Sequence, residues 1–394
     1  MTVMQVIGSF LGIIIYPYLI RTIGASHYGL YIFSLSFTNY FVAFISFGFT
    51  IPALKNTIAN KNDVYKISEI VSSVFTAKLY LCIISSIIFL VLLYTLPILK
   101  SNKLLFIISF TQIIGEVLFP VWYFQAKQKM KIVTYIQVTY RLLSLPIIFL
   151  IIKNDSSLNI LAAITSLTVI LAGITSTLLL IYVEKIKFHI VKLSSLKSYF
   201  IESTPFFWAS STGIFKQESI TIIIGTFFGM KDVALYDLAN KLIVLPRTLT
   251  MTINSALFPK IIDNHNPQTI SKIIKYETFL GMAIMLAIVI LGKWAILLFG
   301  GETMMDAYPM AIILSFTVLS WLVVGCYLYF VFVPLNTYSY ISNNQMVATV
   351  AFFVFCLSGI LIFHNIIIVV ISISLSGLCE ILYCKYLIKK HKLL

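Results

Sequence analysis

The sequence predicts an all-α integral membrane protein in which about twelve transmembrane helices form two six-helix bundles. Of its 394 residues, 60% are hydrophobic and only 11% are charged, which lies far outside the composition of soluble domains. The apolar residues lie in windows long enough to cross about 30 Å of hydrocarbon. An internal repeat also divides the chain into two related halves.

The repeat has a constant offset and needs no gap. Gly229 corresponds to Gly24, Ile220 to Ile15, and Leu235 with Tyr236 to Leu30 with Tyr31. The same offset aligns a helix, a short connection and a second helix in both halves. We therefore interpret the chain as two repeats that run parallel through the membrane.

Twelve apolar windows define the predicted transmembrane helices. They cover 3–23, 30–50, 72–97, 104–124, 132–152, 158–183, 199–227, 232–258, 274–299, 307–333, 345–363 and 365–387. We expect the first bundle over residues 1–183 and the second over 200–394. A basic, amphipathic linker over 184–199 is expected on the cytoplasmic side, close to anionic lipid.

The distribution of lysines predicts the orientation. Most lysines of the connections follow even-numbered helices or lie in the C-terminal tail. On the opposite side the connections hold Lys100, Lys103, Lys153 and Lys231. Because positive residues favour the cytoplasmic side, both termini are expected there. The net charge of +14 is largely this topological bias, and the scattered basic residues form no nucleic-acid interface.

Several charged residues fall inside the predicted helices, beginning with Arg21 near the end of the first. Arg21 either snorkels to the headgroups or faces a cavity. Helices 4 and 5 form a hairpin around AKQKMK, which places Glu116 and Arg141 at similar depth in neighbouring helices. This spacing predicts an ion pair between them. The pair is either a structural one or part of a cavity wall whose arginine contacts an anion.

Helices 7 and 8 carry the strongest polar pattern. Lys216 and Glu218 lie in helix 7, and Asp237 and Lys241 are i, i+4 partners in helix 8. Asn240, Arg247 and Asn254 follow one another at intervals of seven residues, so they form one stripe along helix 8. Since charges are costly in hydrocarbon, these side chains should face protein or a water-filled cavity.

Motifs for enzymatic chemistry are absent from the sequence. It contains no phosphate-binding glycine loop, zinc motif or nucleophile triad, and its five cysteines have no pairing pattern. We therefore expect no cofactor and no metal site. The in-helix cations, with Arg141, Lys216 and Arg247 as the best candidates, predict a central cationic cavity for an anionic substrate. Arginine suits phosphate because its planar fork makes bidentate contacts.

Three stretches resemble one known family. They are YPYLIRTIGASHYGLYIFSLSF, WYFQAKQKMKIVTYIQVTYRLLSLP and LKSYFIESTPFFWASSTGIFKQESITIIIGTFFGMKDVALYDLANKL. They closely resemble the O-antigen flippases called Wzx, of the multidrug/oligosaccharidyl-lipid/polysaccharide exporter superfamily. The resemblance is strongest up to about residue 265. It implies a V-shaped pair of six-helix bundles that works by alternating access.

The resemblance also implies a function and a site. The function is movement of an undecaprenyl-diphosphate-linked oligosaccharide from the cytoplasmic to the periplasmic leaflet of a bacterial inner membrane. The expected substrate-binding cations are Arg21, Arg141, Lys216, Lys241 and Arg247. The expected polar or ion-coupling residues are Glu116, Glu218, Asp237, Asn240 and Asn254. Implied partners are membrane lipid, a coupling proton or sodium ion, a polysaccharide polymerase and a chain-length regulator.

Other functions remain open at this point. The usual Lys-Asn leader of the family does not precede helix 1 in this sequence, so we expect the entry into helix 1 to depart from the family pattern. A cation-coupled multidrug exporter of the same superfamily should have an acidic or aromatic cavity, which the excess of cations disfavours. A murein-precursor flippase usually has two more helices. A membrane polysaccharide polymerase or acyltransferase needs a large external loop or a catalytic His/Asp pair, and the predicted outer loops are short.

Overall fold

The computed structural model describes residues 2–263, 266–391 and 393, with side chains from residue 14 onward except 251–253, 255–257, 259–260 and 262–263. The long helices are α1 (Thr2–Ser46), α3 (Val64–Thr95), α8 (Met130–Ile151), α9 (Leu158–Tyr182), α10 (Leu193–Phe227), α11 (Met230–Asp263), α12 (Pro267–Gly300), α13 (Ala307–Tyr327), α14 (Tyr338–Phe363) and α15 (Ile366–His391). The shorter ones are α2 (Thr50–Ala59), α4 (Pro97–Ser101), α5 (Lys103–Phe110), α6 (Gln112–Leu118) and α7 (Val121–Ala126). Short 3-10 turns cover Asp155–Ser157 and Glu302–Met304, and a π-helical turn covers Leu328–Phe332.

The predicted fold class is confirmed. Within the described residues, nine helical segments are long and apolar enough to cross a membrane. The first of them, Ile14–Ala59, has room for two of the predicted helices. α10 and α11 are also long, but their polar and charged residues make them less apolar than the other long helices. The number of twelve spans and the cytoplasmic position of the termini stay predictions.

Glycine breaks the helices at two positions that correspond in the predicted repeat. Gly24 interrupts α1 with a φ of 78°, and Gly229, with a φ of 114°, separates α10 from α11. Both values lie in the left-handed region, where residues with a Cβ are strained. The two positions that correspond in the predicted repeat therefore share one backbone feature.

The predicted fourth helix, 104–124, is broken into α5, α6 and α7. The break after α6 lies at Phe119, which is extended (φ −106°, ψ 90°) because Pro120 follows it. Proline disfavours the helical conformation of the preceding residue and has no amide hydrogen to donate. At the first break the Thr111 hydroxyl donates to the Ile108 carbonyl at 2.6 Å, a local bond that competes with helix hydrogen bonding.

The chain gathers into two compact units, Leu30–Ile222 and Thr2–Gly29 with Ile223–Leu394. Their boundaries fall within α1 and α10. The predicted division into 1–183, a linker over 184–199, and 200–394 describes the sequence repeats and stays a prediction.

The first unit has an aromatic core. The rings of Phe89 and Phe110 stack with their centroids 3.9 Å apart, and Phe41 meets Phe110 edge to face at 5.2 Å. α6 and α9 approach closely at Gly115 and Gly173, where a Cβ added to Gly173 would lie 2.9 Å from the Gly115 carbonyl oxygen. A Cβ added to Gly115 would lie 2.6 Å from Cγ1 of Val169, so small residues set this helix spacing.

The second unit is arranged around α13. α11, α12 and α15 all pack against α13, and α14 packs against α15. A buried apolar cluster at the end of α13 includes Cys326, Phe330 and Phe332 with Cys384 of α15. Cys326, Cys356 and Cys384 are buried in the structure.

The predicted linker is partly an extended segment that lies on α3. Residues 185–192 are not helical, and α10 begins only at Leu193. Hydroxyls at successive turns of α3 accept hydrogen bonds from alternate backbone N–H groups: Ser68 from Lys187 at 3.2 Å, Ser72 from His189 at 3.1 Å and Thr76 from Val191 at 3.3 Å. Two residues of an extended chain rise about as far as one helix turn, so the alternate N–H groups and the hydroxyls of α3 have the same spacing.

Glu184 anchors the start of this segment. It forms an ion pair with Lys129 and accepts a hydrogen bond from the Tyr123 hydroxyl at 2.9 Å. Burial raises the pKa of Glu184, but the hydrogen bonds from Lys129 and Tyr123 outweigh burial and hold the pKa below its ordinary value. The carboxylate is therefore stabilised in its charged form at neutral pH.

Candidate functional site

α11 carries the predicted polar stripe of the second unit, and its best-defined part is centred on Lys241. The Lys241 ammonium forms an ion pair with Asp237 and donates to the Tyr28 hydroxyl at 3.0 Å. The Tyr28 hydroxyl in turn donates to Oδ2 of Asp237 at 2.8 Å. The predicted i, i+4 contact between Asp237 and Lys241 is thus present.

Two aromatic rings from α1 enclose this ammonium group. Nζ of Lys241 lies 5.1 Å from the ring centroid of Tyr16 and 5.6 Å from that of Tyr28. Both distances allow cation–π attraction. The Tyr16 hydroxyl donates to the Ala234 carbonyl at 3.2 Å, which fixes its ring against α11. We call Tyr16, Tyr28, Asp237 and Lys241 the Lys241 cluster.

Arg247 lies six residues further along α11. Its guanidinium carbon is 4.0 Å from the centroid of the Trp321 ring on α13, in stacking contact. Glu380 of α15 lies close enough to act on the charge of Arg247. Arg247 is half-buried, and the Trp321 indole covers one face of its guanidinium.

Asn254, the last residue of the stripe, is paired with a carboxylate that the sequence analysis did not single out. Nδ2 of Asn254 donates to Oε2 of Glu277 at 3.2 Å, and the Cys326 thiol also hydrogen-bonds Glu277. Asn254 and Glu277 are 4% and 5% exposed. Within the described part of the chain, Oδ1 of Asn254 and Oε1 of Glu277 have no hydrogen-bond partner. Such orphaned buried oxygens require an explanation.

The first unit corrects one predicted pair. Glu116 does not pair with Arg141. Its Oε1 accepts from the Lys78 ammonium and from the Ser46 hydroxyl, both at 2.8 Å, and Lys78 also donates to the Glu116 carbonyl at 3.0 Å. The prediction considered only the α-helical hairpin, whereas α3 packs directly on α6. Arg141 is exposed on α8.

Helix α10 holds the other predicted residues of this unit. Oε1 of Glu218 accepts a hydrogen bond from Asn39 Nδ2 at 3.1 Å, and Ser36 bonds the same carboxylate. One turn of α1 therefore supplies both partners. Beside them the Tyr40 and Ser219 hydroxyls are 2.6 Å apart. Lys216 is half-buried.

The two remaining candidates are less enclosed. Arg21 is exposed, and its Nη2 lies 3.4 Å from the Leu298 carbonyl of α12. Asn240 is half-buried on α11. Arg21 and the Lys241 cluster belong to the same unit, whereas Glu116, Arg141, Lys216 and Glu218 belong to the other.

The chemistry that these groups offer is non-covalent. A lysine ammonium has three donors, and Asp237 and Tyr28 accept two of those of Lys241. An anion can therefore approach the cluster, and Asp237 balances the charge when no anion is bound. Among the residues that the structure describes, no three His, Cys, Asp or Glu side chains are grouped to hold a metal ion.

Comparison with known proteins gives a family match. The model of the family described as "Polysaccharide biosynthesis protein" matches residues 1–265. A protein of Escherichia coli (strain K12) named "Putative O-antigen transporter" is 27% identical over 263 residues, which is 66% of this chain and 63% of that protein. A Shigella dysenteriae protein of the same name is 26% identical over 269 residues, 66% of this chain and 65% of its own length. The match therefore spans less than two thirds of either relative.

Solved structures show the same fold over a longer range. The lipid II flippase MurJ in an inward closed conformation superposes with a TM-score of 0.77 at 13% identity, covering 98% of this chain and 86% of its own. An inward-facing multidrug resistance transporter of the MATE family superposes with a TM-score of 0.69 at 12% identity, covering 98% and 99%. At such identities the likeness concerns the fold alone.

Proposed function

Because the chain belongs to the polysaccharide biosynthesis protein family, we propose that it is a multi-pass membrane flippase for lipid-linked polysaccharide. The proposed substrate is an undecaprenyl-diphosphate-linked O-antigen or polysaccharide repeat unit. It would move from the cytoplasmic to the periplasmic leaflet of a bacterial inner membrane. The relatives named as O-antigen transporters support the substrate class.

The Lys241 cluster is the observation that carries this proposal. A charged lysine within a membrane helix is costly, so such residues are rare and usually mark a substrate pathway or a binding site. Its partner Asp237 compensates the charge, and the Tyr16 and Tyr28 rings enclose the ammonium. A phosphate oxygen that accepts from Lys241 would compete with Asp237 for the same donors. Arg247 would supply a second cation on the same helix.

Substrate binding then follows from an exchange of partners. When the diphosphate replaces Asp237 at Lys241, the released carboxylate favours uptake of a proton or another cation. Arg21, Arg141 and Lys216 remain candidate cations for the diphosphate and sugars. Glu116, Glu218 and Asn240 remain candidate polar contacts. The product on the outer leaflet is what a polysaccharide polymerase and its chain-length regulator would use, so these are the proposed partners.

The Asn254–Glu277 pair is the proposed coupling site. Both side chains are buried in membrane helices, and each leaves one oxygen unsatisfied in the described structure. A proton on Glu277 would provide a hydrogen-bond donor. Alternatively, both oxygens could coordinate a small cation such as sodium. Either occupant relieves the cost of the orphaned oxygens.

The test is leaflet transfer of an undecaprenyl-diphosphate oligosaccharide by the purified protein in liposomes, with ethidium efflux measured in parallel. Loss of one charge-assisted hydrogen bond costs about 1.5–3 kcal/mol, so Lys241→Gln and Arg247→Gln should each slow lipid transfer at least about tenfold. Lys231→Gln removes an exposed charge at the start of α11 and should transfer lipid at the normal rate.

The outcomes separate the candidate functions. Normal lipid transfer by both Lys241→Gln and Arg247→Gln would refute the proposed site. Ethidium efflux without lipid transfer by the unmodified protein would refute the flippase and assign the chain to the multidrug exporters.

A further inference from the structure

A groove in the second unit lies apart from the candidate substrate site. It has a volume of about 870 Å³, and the described residues that line it belong to α12, α13 and α15. This volume is within the range of about 300–1,000 Å³ that small-molecule sites have. The groove is therefore large enough to hold a bound molecule.

The depth of the groove corresponds to one leaflet. Its lining extends from Pro267 to Thr278 on α12, from Phe316 to Tyr327 on α13 and from Leu378 to Lys389 on α15. Each stretch spans eleven steps of the helix, or about 16 Å at 1.5 Å per residue. Half of a hydrocarbon core of about 30 Å is about 15 Å. An amphiphile of one leaflet thus matches the groove in length.

Two lysines, Lys385 and Lys389, are exposed towards the end of the groove formed by the start of α12 and the end of α15. Lys275 is also exposed but lies eight residues into α12, about 12 Å along the helix axis from Pro267, so its aliphatic stem must extend back for its ammonium to approach the other two. Towards the opposite end, Phe316 and Leu319 of α13 and Leu378 of α15 form an apolar wall. Leu378 is 39% exposed, so an apolar wall remains open to an occupant.

We propose that this groove binds one anionic phospholipid, with its phosphate at Lys275, Lys385 and Lys389 and its acyl chains against Phe316, Leu319 and Leu378. Charge complementarity supports this occupant. Lysines near a membrane surface attract anionic headgroups. A lysine deeper in the groove can still present its ammonium to the headgroup, because its aliphatic stem can lie along apolar surface. The proposal does not depend on the proposed transport function, because none of these residues belongs to the Lys241 cluster.

The test uses the full-length protein in detergent and native mass spectrometry with dioleoyl phosphatidylglycerol or dioleoyl phosphatidylcholine. We expect one phosphatidylglycerol to be retained at a collision energy that removes all phosphatidylcholine. The triple variant Lys275→Gln, Lys385→Gln, Lys389→Gln should bind phosphatidylglycerol more weakly by about fivefold for each lysine removed. Raising the salt concentration should weaken retention in the unmodified protein.

Two further variants separate charge from shape. Lys131→Gln, Lys272→Gln, Lys390→Gln removes the same charge from exposed lysines outside the groove and should retain phosphatidylglycerol normally. Leu378→Trp keeps the lysines but fills the apolar end, and it should lose retention by a similar factor.

Three results would overturn the proposal. Equal retention of phosphatidylcholine would mean ordinary lipid contact without selectivity. Unchanged retention by the lysine triple variant would exclude the headgroup site. Displacement of phosphatidylglycerol by an equimolar amount of undecaprenyl phosphate would assign the groove to the isoprenoid substrate instead.

Discussion

The ammonium of Lys78 is buried in a membrane segment, and Glu116 compensates its charge there. The side chains of Lys78 and Glu116 are 7% and 29% exposed, and Lys78 makes two hydrogen bonds to Glu116. Removal of one partner of a buried pair leaves an uncompensated charge, which costs about 3–5 kcal/mol. We therefore expect Lys78→Met to lower the free energy of unfolding by about 3 kcal/mol, measured by thermal unfolding in detergent.

The double variant Lys78→Met, Glu116→Leu should recover most of that loss, because no charge is then left unpaired. Arg141→Gln is the control, and this exposed residue should change stability by less than about 0.5 kcal/mol. If Arg141→Gln were as destabilising as Lys78→Met, Arg141 would be the functional partner of Glu116 after all.

Glu277 allows a test of coupling that is separate from substrate binding. Glu277→Gln keeps the hydrogen bond with Asn254 but cannot release a proton or ligate a cation as a carboxylate does. We expect this variant to retain lipid exchange without a gradient and to lose at least about tenfold of the stimulation by an imposed proton or sodium gradient. Glu302→Gln, an exposed substitution in the turn Glu302–Met304, should respond normally. A full gradient response by Glu277→Gln would exclude the coupling role.

At the scale of the elements, the middle of α1 lies against the start of α11 with no room for a side chain at Gly29. A Cβ on Gly29 would lie 1.7 Å from the Met230 carbonyl oxygen, so the backbones would have to separate. Overpacking of this kind costs about 1–3 kcal/mol or more. We expect Gly29→Ala to reduce the yield of folded, monodisperse protein several-fold, as measured by size-exclusion chromatography.

Gly292→Ala is a matched control, because its Cβ would make ordinary contacts, the nearest at 3.5 Å from Tyr308. Alanine also favours the helix relative to glycine. A normal yield for Gly29→Ala would show that α1 and α11 do not approach each other as closely as described.

The extended linker segment depends on the charge of Glu184. Because the pKa of Glu184 in the folded protein is below its ordinary value, its stabilising effect is present above the unfolded pKa of about 4.3. The effect is lost as pH falls through the lower folded pKa. The melting temperature of Glu184→Gln should therefore be below that of the unmodified protein at pH 7, and the difference should disappear in acid. A difference that stayed constant with pH would exclude an ionised Glu184 in this role.

For the whole molecule, the sequence could predict features set by composition or by neighbouring residues. Helix positions follow from apolar windows, and the i, i+4 spacing predicted the pair of Asp237 and Lys241. Gly24 and Gly229, which the predicted repeat relates, both have a positive φ. The family inferred from short motifs is also confirmed.

The remaining partners of the charged residues depend on which helices pack together. Lys78 meets Glu116 across α3 and α6, and Asn254 meets Glu277 across α11 and α12. No sequence spacing encodes these contacts. Lone charges in apolar windows, such as Lys78, were nevertheless a visible signal.

The predicted orientation of the whole chain can be tested with single cysteines. Cys82 and Cys379, the partly exposed native cysteines, are first replaced. Cysteine is then introduced at Lys131 or Lys187, predicted to be cytoplasmic, or at Lys153 on the opposite side. Since lysine-rich connections stay in the cytoplasm, a membrane-impermeant maleimide should label only the Lys153→Cys variant in intact cells. The other two should label after permeabilisation.

Lys131 lies at the start of α8 and Lys187 follows the end of α9, so they must share one side if both helices cross the membrane. If Lys131→Cys and Lys187→Cys were labelled in intact cells and Lys153→Cys only after permeabilisation, the orientation would be the reverse of the predicted one. Labelling of Lys131→Cys and Lys187→Cys from different sides would mean that one of the two helices does not span, and the two-repeat arrangement would fail with it.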